Sequence, residues 1–132
     1  MKKVKILIVE DEILVAETIK RSLQRRGYEV TGIAVTGEEA IDLAERDTPD
    51  IAIMDITLKG AMNGIATAGH IHGRYGISII FLTAHTNANI YERAKITKPF
   101  IYITKPFEER QLITVIESML TEDGTETPPA EE

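Results

Sequence analysis

The sequence predicts an α/β domain in which five parallel strands alternate with five helices. Three observations carry this. Apolar runs such as Ile6-Leu7-Ile8-Val9 and Ile51-Ala52-Ile53-Met54 show no alternation with polar residues, the pattern of strands covered on both faces. Between the runs lie longer stretches with apolar residues three or four apart, as amphipathic helices require. The runs end abruptly in residues that carry chemistry: Glu10-Asp11, Asp55, Thr83 and Lys105.

Val4 to Val9 is the first strand, ended by Glu10-Asp11-Glu12. Val15, Ile19 and Leu23 then recur at four-residue spacing among Lys20, Arg21, Arg25 and Arg26, a helix that Gly27 stops. Tyr28 to Val35 is the second strand. Thr36-Gly37-Glu38-Glu39 is a capping box, with Thr36 capping and Glu39 reaching back. The helix it opens carries Ala40, Ile41, Leu43 and Ala44, and Pro49-Asp50 breaks it. Ile51 to Met54 is the third strand, ending at Asp55.

A glycine-containing loop, Thr57 to Asn63, leads to a helix from Gly64 to Tyr75. Ile77 to Leu82 is the fourth strand, ending at Thr83. A weaker helix spans Asn87 to Ile96. Phe100 to Ile103 or Thr104 is the fifth strand, followed by Lys105-Pro106-Phe107. The last helix spans Glu108 to Leu120, with Leu112, Val115, Ile116 and Met119 on one side. Right-handed crossovers leave the flavodoxin-like order 2-1-3-4-5, doubly wound, as the common solution at this size.

The 132 residues are one domain's worth, and 43% are apolar, enough for a core. Residues 1–120 are expected to form the domain and 121–132 an acidic flexible tail or linker containing Pro128-Pro129. The net charge is −6; five of the acids lie in that tail, so the body is near neutral. No basic stripe stands out, which argues against nucleic-acid binding. There is no cysteine, hence no disulfide framework or thiolate chemistry. The amino-terminal apolar run is too short for a signal peptide, and no run approaches the roughly 18 residues of a membrane span. A cytoplasmic location is expected. His70 and His72 are two apart on a helix and do not share a face, so they do not form a metal pair.

In a doubly wound sheet, ligands bind at the carboxyl ends of the strands. Glu10, Asp11, Asp55, Thr83, Ala84 and Lys105 all fall there. Three carboxylates at close range repel one another. A hard divalent cation resolves this, and Mg²⁺ suits a site of few carboxylates with water and phosphate oxygens. Asp55 would then stay ionised and act as a nucleophile toward a phosphoryl group. Thr83 and Lys105 would meet the phosphoryl oxygens.

These segments resemble the response-regulator receiver domain of two-component signalling, in the CheY-like superfamily. The match lies in Ile8-Val9-Glu10-Asp11-Glu12, Met54-Asp55-Ile56, Asn63-Gly64, Leu82-Thr83-Ala84 and Thr104-Lys105-Pro106-Phe107. It covers roughly residues 3 to 120. The resemblance implies that Asp55 is the phosphoacceptor. It implies Asp11 and Asp55 as Mg²⁺ ligands, with Glu10 acting through water and the Thr57 backbone carbonyl completing the protein's share. Thr83, Ala84 and Lys105 would bind the phosphoryl group. Thr83 and Tyr102 would be the switch residues, and Pro106 would follow a cis peptide bond.

Two lysines compete for one role, because Ile96-Thr97-Lys98-Pro99-Phe100 recurs as Ile103-Thr104-Lys105-Pro106-Phe107. Lys98 precedes the last strand and would sit at its amino end, so Lys105 is preferred. Glu10 stands where the family often has aspartate, and Pro99-Phe100 where small residues usually lead into the fifth strand. Thr57 and His85 occupy positions that tune phosphoryl lifetime in the family.

The resemblance further implies a phosphorylation-dependent switch rather than a turnover enzyme, with only self-phosphorylation and autodephosphorylation chemistry. Its donor would be a sensor histidine kinase or a His phosphotransfer protein. Its output would be the surface of the fourth helix, fifth strand and fifth helix, toward an unknown downstream protein or a second copy of the chain. The chain would be a single-domain regulator or one domain of a larger sensor or regulator. A Mg²⁺-dependent phosphohydrolase with an aspartate nucleophile is the alternative, but such enzymes place Asp-x-Asp after the first strand, where this chain has Glu10-Asp11-Glu12. A flavin carrier would need a glycine- and hydroxyl-rich phosphate loop there, and three acids would repel the phosphate.

Overall fold

The computed structural model describes residues 3–56, 63–84 and 101–124. Within them the chain runs β1 (Lys5–Val9), α1 (Ile13–Arg25), β2 (Glu29–Ala34), α2 (Gly37–Asp47), β3 (Ile51–Asp55), α3 (Gly64–Tyr75), β4 (Ser78–Ala84), β5 (Ile101–Lys105) and α4 (Glu109–Gly124). All strand pairs are parallel, in the order β2-β1-β3-β4-β5. The fold is the doubly wound sheet that the sequence predicts. The expected helix at 87–96, Lys98 and the acidic tail beyond Gly124 lie outside the described residues.

The uninterrupted apolar strands are explained by their two covered faces. Successive residues of a strand point to opposite sides. Leu7, Val9, Ala52, Met54, Ile79 and Phe81 therefore pack beneath α2 and α3, against Ala40, Ala44, Ala68 and Ile71. Ile6, Ile8, Ile51, Ile53, Ile80, Leu82 and Ile103 pack on the other face, beneath α1 and α4. Those helices contribute Ala16, Ile19, Leu23, Leu112, Ile113, Ile116 and Met119. Each fully buried large aliphatic stabilises the fold by about 1.5–3 kcal/mol relative to exposure.

The helix ends follow local chemistry. The Thr36 Oγ1 accepts from the Glu39 N–H at 3.1 Å, and Glu39 Oε1 reaches back to accept from the Val35 N–H at 2.9 Å. Thr48 closes α2 in the left-handed conformation, just before Pro49. Gly27, at φ +91°, takes the turn after α1 that an L side chain resists. The last helix begins one residue later than the sequence suggests and continues beyond Leu120 to Gly124.

The strand order has one functional consequence. The chain moves from β1 outward to β2, then returns across β1 to β3. The crevice between the carboxyl ends of β1 and β3 is the switch point at which such sheets bind ligands.

Candidate functional site

Three acids meet in that crevice. Glu10 follows β1 directly, and its N–H donates to the Ala34 carbonyl of β2 at 2.9 Å, which fixes the turn out of the strand. Asp11 comes next, half-buried. Asp55 is the last residue of β3 and is paired in register with Leu82 of β4. Carboxylate oxygens of Glu10, Asp11 and Asp55 lie within 4.8 Å of one another. Glu10 is fully buried and Asp55 is 7% exposed.

Lys105 closes the group from β5. Its Nζ stands 3.7 Å from Asp55 Oδ2 and 3.5 Å from Glu10 Oε1. It is the last residue of the strand rather than the first beyond it, and pairs in register with Ala84. The other Glu10 oxygen, Oε2, accepts from the Glu12 N–H at 3.2 Å. Burial pushes the Glu10 carboxyl above its ordinary range, and the Asp55 charge pushes it further. The Glu12 N–H and Lys105 pull it back only in part. Among the described residues, one ammonium against three carboxylates leaves the cluster short of positive charge. A hard divalent cation would supply it, and this all-oxygen donor set fits Mg²⁺. Asp11 and Asp55 would hold the ion; Glu10 already uses both oxygens within the protein.

Thr83 lies one residue beyond Leu82 on β4, 2% exposed, and pairs with Thr104. Tyr102 faces the α2–α3 side of β5. Its ring stacks on Phe81 with centroids 5.9 Å apart and planes 9° from parallel, and its hydroxyl is buried. The Lys105–Pro106 peptide bond is cis. Glu12 is the N-cap residue of α1, but its side chain makes no capping bond. His72 bonds the Ile77 carbonyl at 3.0 Å and His70 lies edge-on to Tyr75, so the two histidines serve local contacts at the far end of α3. Thr57 and His85 lie outside the described residues.

One close approach at the site had no role assigned from sequence. Asn63 caps α3, its Oδ1 accepting from the Ala66 N–H at 2.8 Å. This brings Gly64 against the end of β3. A Cβ on Gly64 would lie 2.6 Å from the Asp55 carbonyl oxygen and 2.8 Å from both Cα and O of Ile56. The Asn63-Gly64 pair was a visible sequence signal, but the contact it makes is 9 residues away and tertiary.

A doubly wound sheet with buried acids and a lysine at its switch point defines the class of receiver domains. The chain belongs to the response regulator receiver domain family, whose profile matches residues 6–117. It is 37% identical over 113 residues to the transcriptional regulatory protein PdtaR of Mycobacterium tuberculosis, covering 86% of this chain and 55% of that protein. It is 36% identical over 108 residues to the uncharacterized transcriptional regulatory protein YrkP of Bacillus subtilis, covering 82% of this chain and 46% of that one. The chain thus spans about half the length of these relatives. Among solved structures, the signal receiver domain of a modulated diguanylate cyclase from Desulfovibrio desulfuricans superposes with a TM-score of 0.88 at 36% identity, covering 96% of this chain and 100% of that one. The PhyR receiver domain of Erythrobacter litoralis gives 0.81 at 27%, covering 98% of each.

Proposed function

We propose that Asp55 accepts a phosphoryl group from a phosphorylated histidine of a sensor kinase or phosphotransfer protein. The observation that carries this is the meeting of Glu10, Asp11 and Asp55 within 4.8 Å, with Lys105 Nζ 3.7 Å from Asp55. An Asp55 carboxylate oxygen attacks phosphorus, a P–O bond forms, and the P–N bond to the donor imidazole breaks. The imidazole leaves with the bonding electron pair and is protonated. Asp11 and Asp55 would hold Mg²⁺, which would supply positive charge to offset the carboxylates and the phosphoryl oxygens. Lys105 adds a point charge beside Asp55, and the Thr83 hydroxyl and the Ala84 backbone bind the remaining oxygens. Hydrolysis of the acyl phosphate resets the domain, so the chemistry is the chain's own modification rather than turnover of a substrate.

The phosphoryl group biases a two-state equilibrium. Thr83 moves toward it, and Tyr102 reports the move on β5. Output then passes through β5, α4 and the 87–96 segment, to a downstream protein or a second copy of the chain. Two relatives bear the name of transcriptional regulators, and the match spans about half of each; we infer that this chain serves as the receiving part of such a regulator or as a regulator by itself. No described helix is long and apolar enough to cross a membrane; a cytoplasmic site of action fits a phosphorelay.

The test is incubation with Mg²⁺ and acetyl phosphate, comparing wild type with Asp55→Asn. One hydroxylamine-labile phosphoryl group per chain is expected on the wild type and none on the variant. Steady release of phosphate from esters, independent of Asp55, would overturn the proposal in favour of a phosphohydrolase.

A further inference from the structure

We propose that Gly64 is a positioning residue for phosphoryl transfer: its missing side chain lets α3 close onto the backbone of Asp55 and Ile56, and that contact sets where the Asp55 carboxylate stands. This rests on the reading of Asp55 as the nucleophile.

Gly64 takes no left-handed conformation; the positive-φ glycines among the described residues are Gly27 and Gly76. Alanine would therefore meet no conformational barrier at position 64. What forbids it is contact. All three atoms that a Cβ would meet, at 2.6 to 2.8 Å, belong to the backbone of residues 55 and 56. None can rotate away as a flexible side chain would.

Neither partner in the contact yields easily. On the helix side, Thr67, Ala68 and Ile71 are fully buried, and Ala68 and Ile71 belong to the α2–α3 core. Backing α3 away would unpack that face. On the strand side, Asp55 is in register with Leu82, and the Ile56 N–H donates to the Leu82 carbonyl at 3.0 Å. If the strand end gives way instead, Asp55 moves relative to Glu10, Asp11 and Lys105, which stand on other elements. Either response disturbs groups that must hold reacting atoms in place, where a displacement of about 1 Å costs on the order of 100-fold in rate.

A matched control lies on the same helix. A Cβ at Gly69 would meet nothing within 4 Å. Gly64→Ala and Gly69→Ala therefore make the same chemical change, and only the first makes a contact.

Four forms of the full chain are compared: wild type, Asp55→Asn, Gly64→Ala and Gly69→Ala. The readouts are the initial rate of Mg²⁺-dependent labelling by acetyl phosphate, the Mg²⁺ concentration giving half-maximal rate, and the far-ultraviolet circular dichroism. Gly64→Ala is expected to stay folded, to label at least about 10-fold more slowly and to need more Mg²⁺. Gly69→Ala is expected to match wild type. A folded Gly64→Ala with wild-type rate and Mg²⁺ dependence overturns the proposal, as does an equal loss in Gly69→Ala. If Gly64→Ala does not fold, Asn63→Ala decides. It frees the first turn of α3 without a clash, and slower labelling with higher Mg²⁺ demand supports the proposal, while unchanged values overturn it. Equal labelling of Asp55→Asn and wild type would instead sink the phosphoacceptor reading, whatever Gly64 does.

Discussion

Asp50 and Asp55 bracket the same strand, and their surroundings are opposite. Asp50 precedes β3 at the amino edge of the sheet and is exposed. Its Oδ2 accepts from the Lys5 N–H at 2.8 Å, its own N–H donates to the Lys5 carbonyl at 2.8 Å, and its carbonyl accepts from the Ser78 N–H at 3.3 Å. The residue stitches β1, β3 and β4 together. Asp55, at the carboxyl edge, is buried beside two further acids with one shared lysine. The same residue type is a finished structural joint at one end and an incomplete charge cluster at the other. Neighbourhood, not side-chain identity, separates an acid that joins strands from one left in a crowded charge cluster.

The comparison breaks most sharply in phosphoryl labelling. Asp55→Asn should abolish it, whereas Asp50→Asn should retain it; mass spectrometry of intact chains after acetyl phosphate treatment distinguishes them. In stability the ranking should reverse. Asp50→Ala removes the acceptor for the Lys5 N–H and should lower unfolding free energy by about 0.5–1.5 kcal/mol, read as a lower urea midpoint at unchanged slope.

Glu10→Gln should sharpen the contrast from the other side. It removes one of three crowded charges, so the metal-free domain should gain about 0.5–2 kcal/mol while Mg²⁺-dependent labelling weakens. A variant that loses stability without metal would show that Lys105 outweighs the repulsion.

The smallest effect belongs to a pair on two helices outside the sheet. Arg25 of α1 bonds Glu109 of α4, and this holds the Glu109 carboxyl below its ordinary range. A depressed acid contributes stability above its unfolded value, near 4.5, and loses it as pH falls through the lower folded value. Glu109→Gln should therefore be slightly less stable than wild type at pH 7, with the gap closing below about pH 4. Thermal melts across that range would check the sign.

Much of this was legible beforehand, for physical reasons. Strands covered on both faces must be apolar throughout, so β1 and β3 stood out with their ends. Helix α2 was announced by Thr36 and Glu39. The acids and Lys105 were found because parallel strands deliver their carboxyl-terminal residues to one edge. Less was legible wherever the cause is tertiary. The sequence left Lys98 and Lys105 as duplicates, and only strand position separated them. Val15, Ile19 and Leu23 suggested the buried face of α1, but Ala16 and Ser22 share the interior while Val15 is half-buried. Ser22 is drawn in because it donates to Glu109 at 3.2 Å, a partner 87 residues away. The role of Gly64 was hidden for the same reason: a glycine needed for contact looks, in sequence, like any helix-starting glycine.

The joint at Asp50 acquires a mechanical meaning beside the contact at Gly64. Strand β3 resembles a beam fixed at both supports, tied to β1 and β4 at one end and butted by α3 at the other. Such a beam has little freedom to slide along its axis. A phosphoryl group arriving at its tip would then find a stationary anvil, and the resulting displacement must go to the neighbours that are not so fixed.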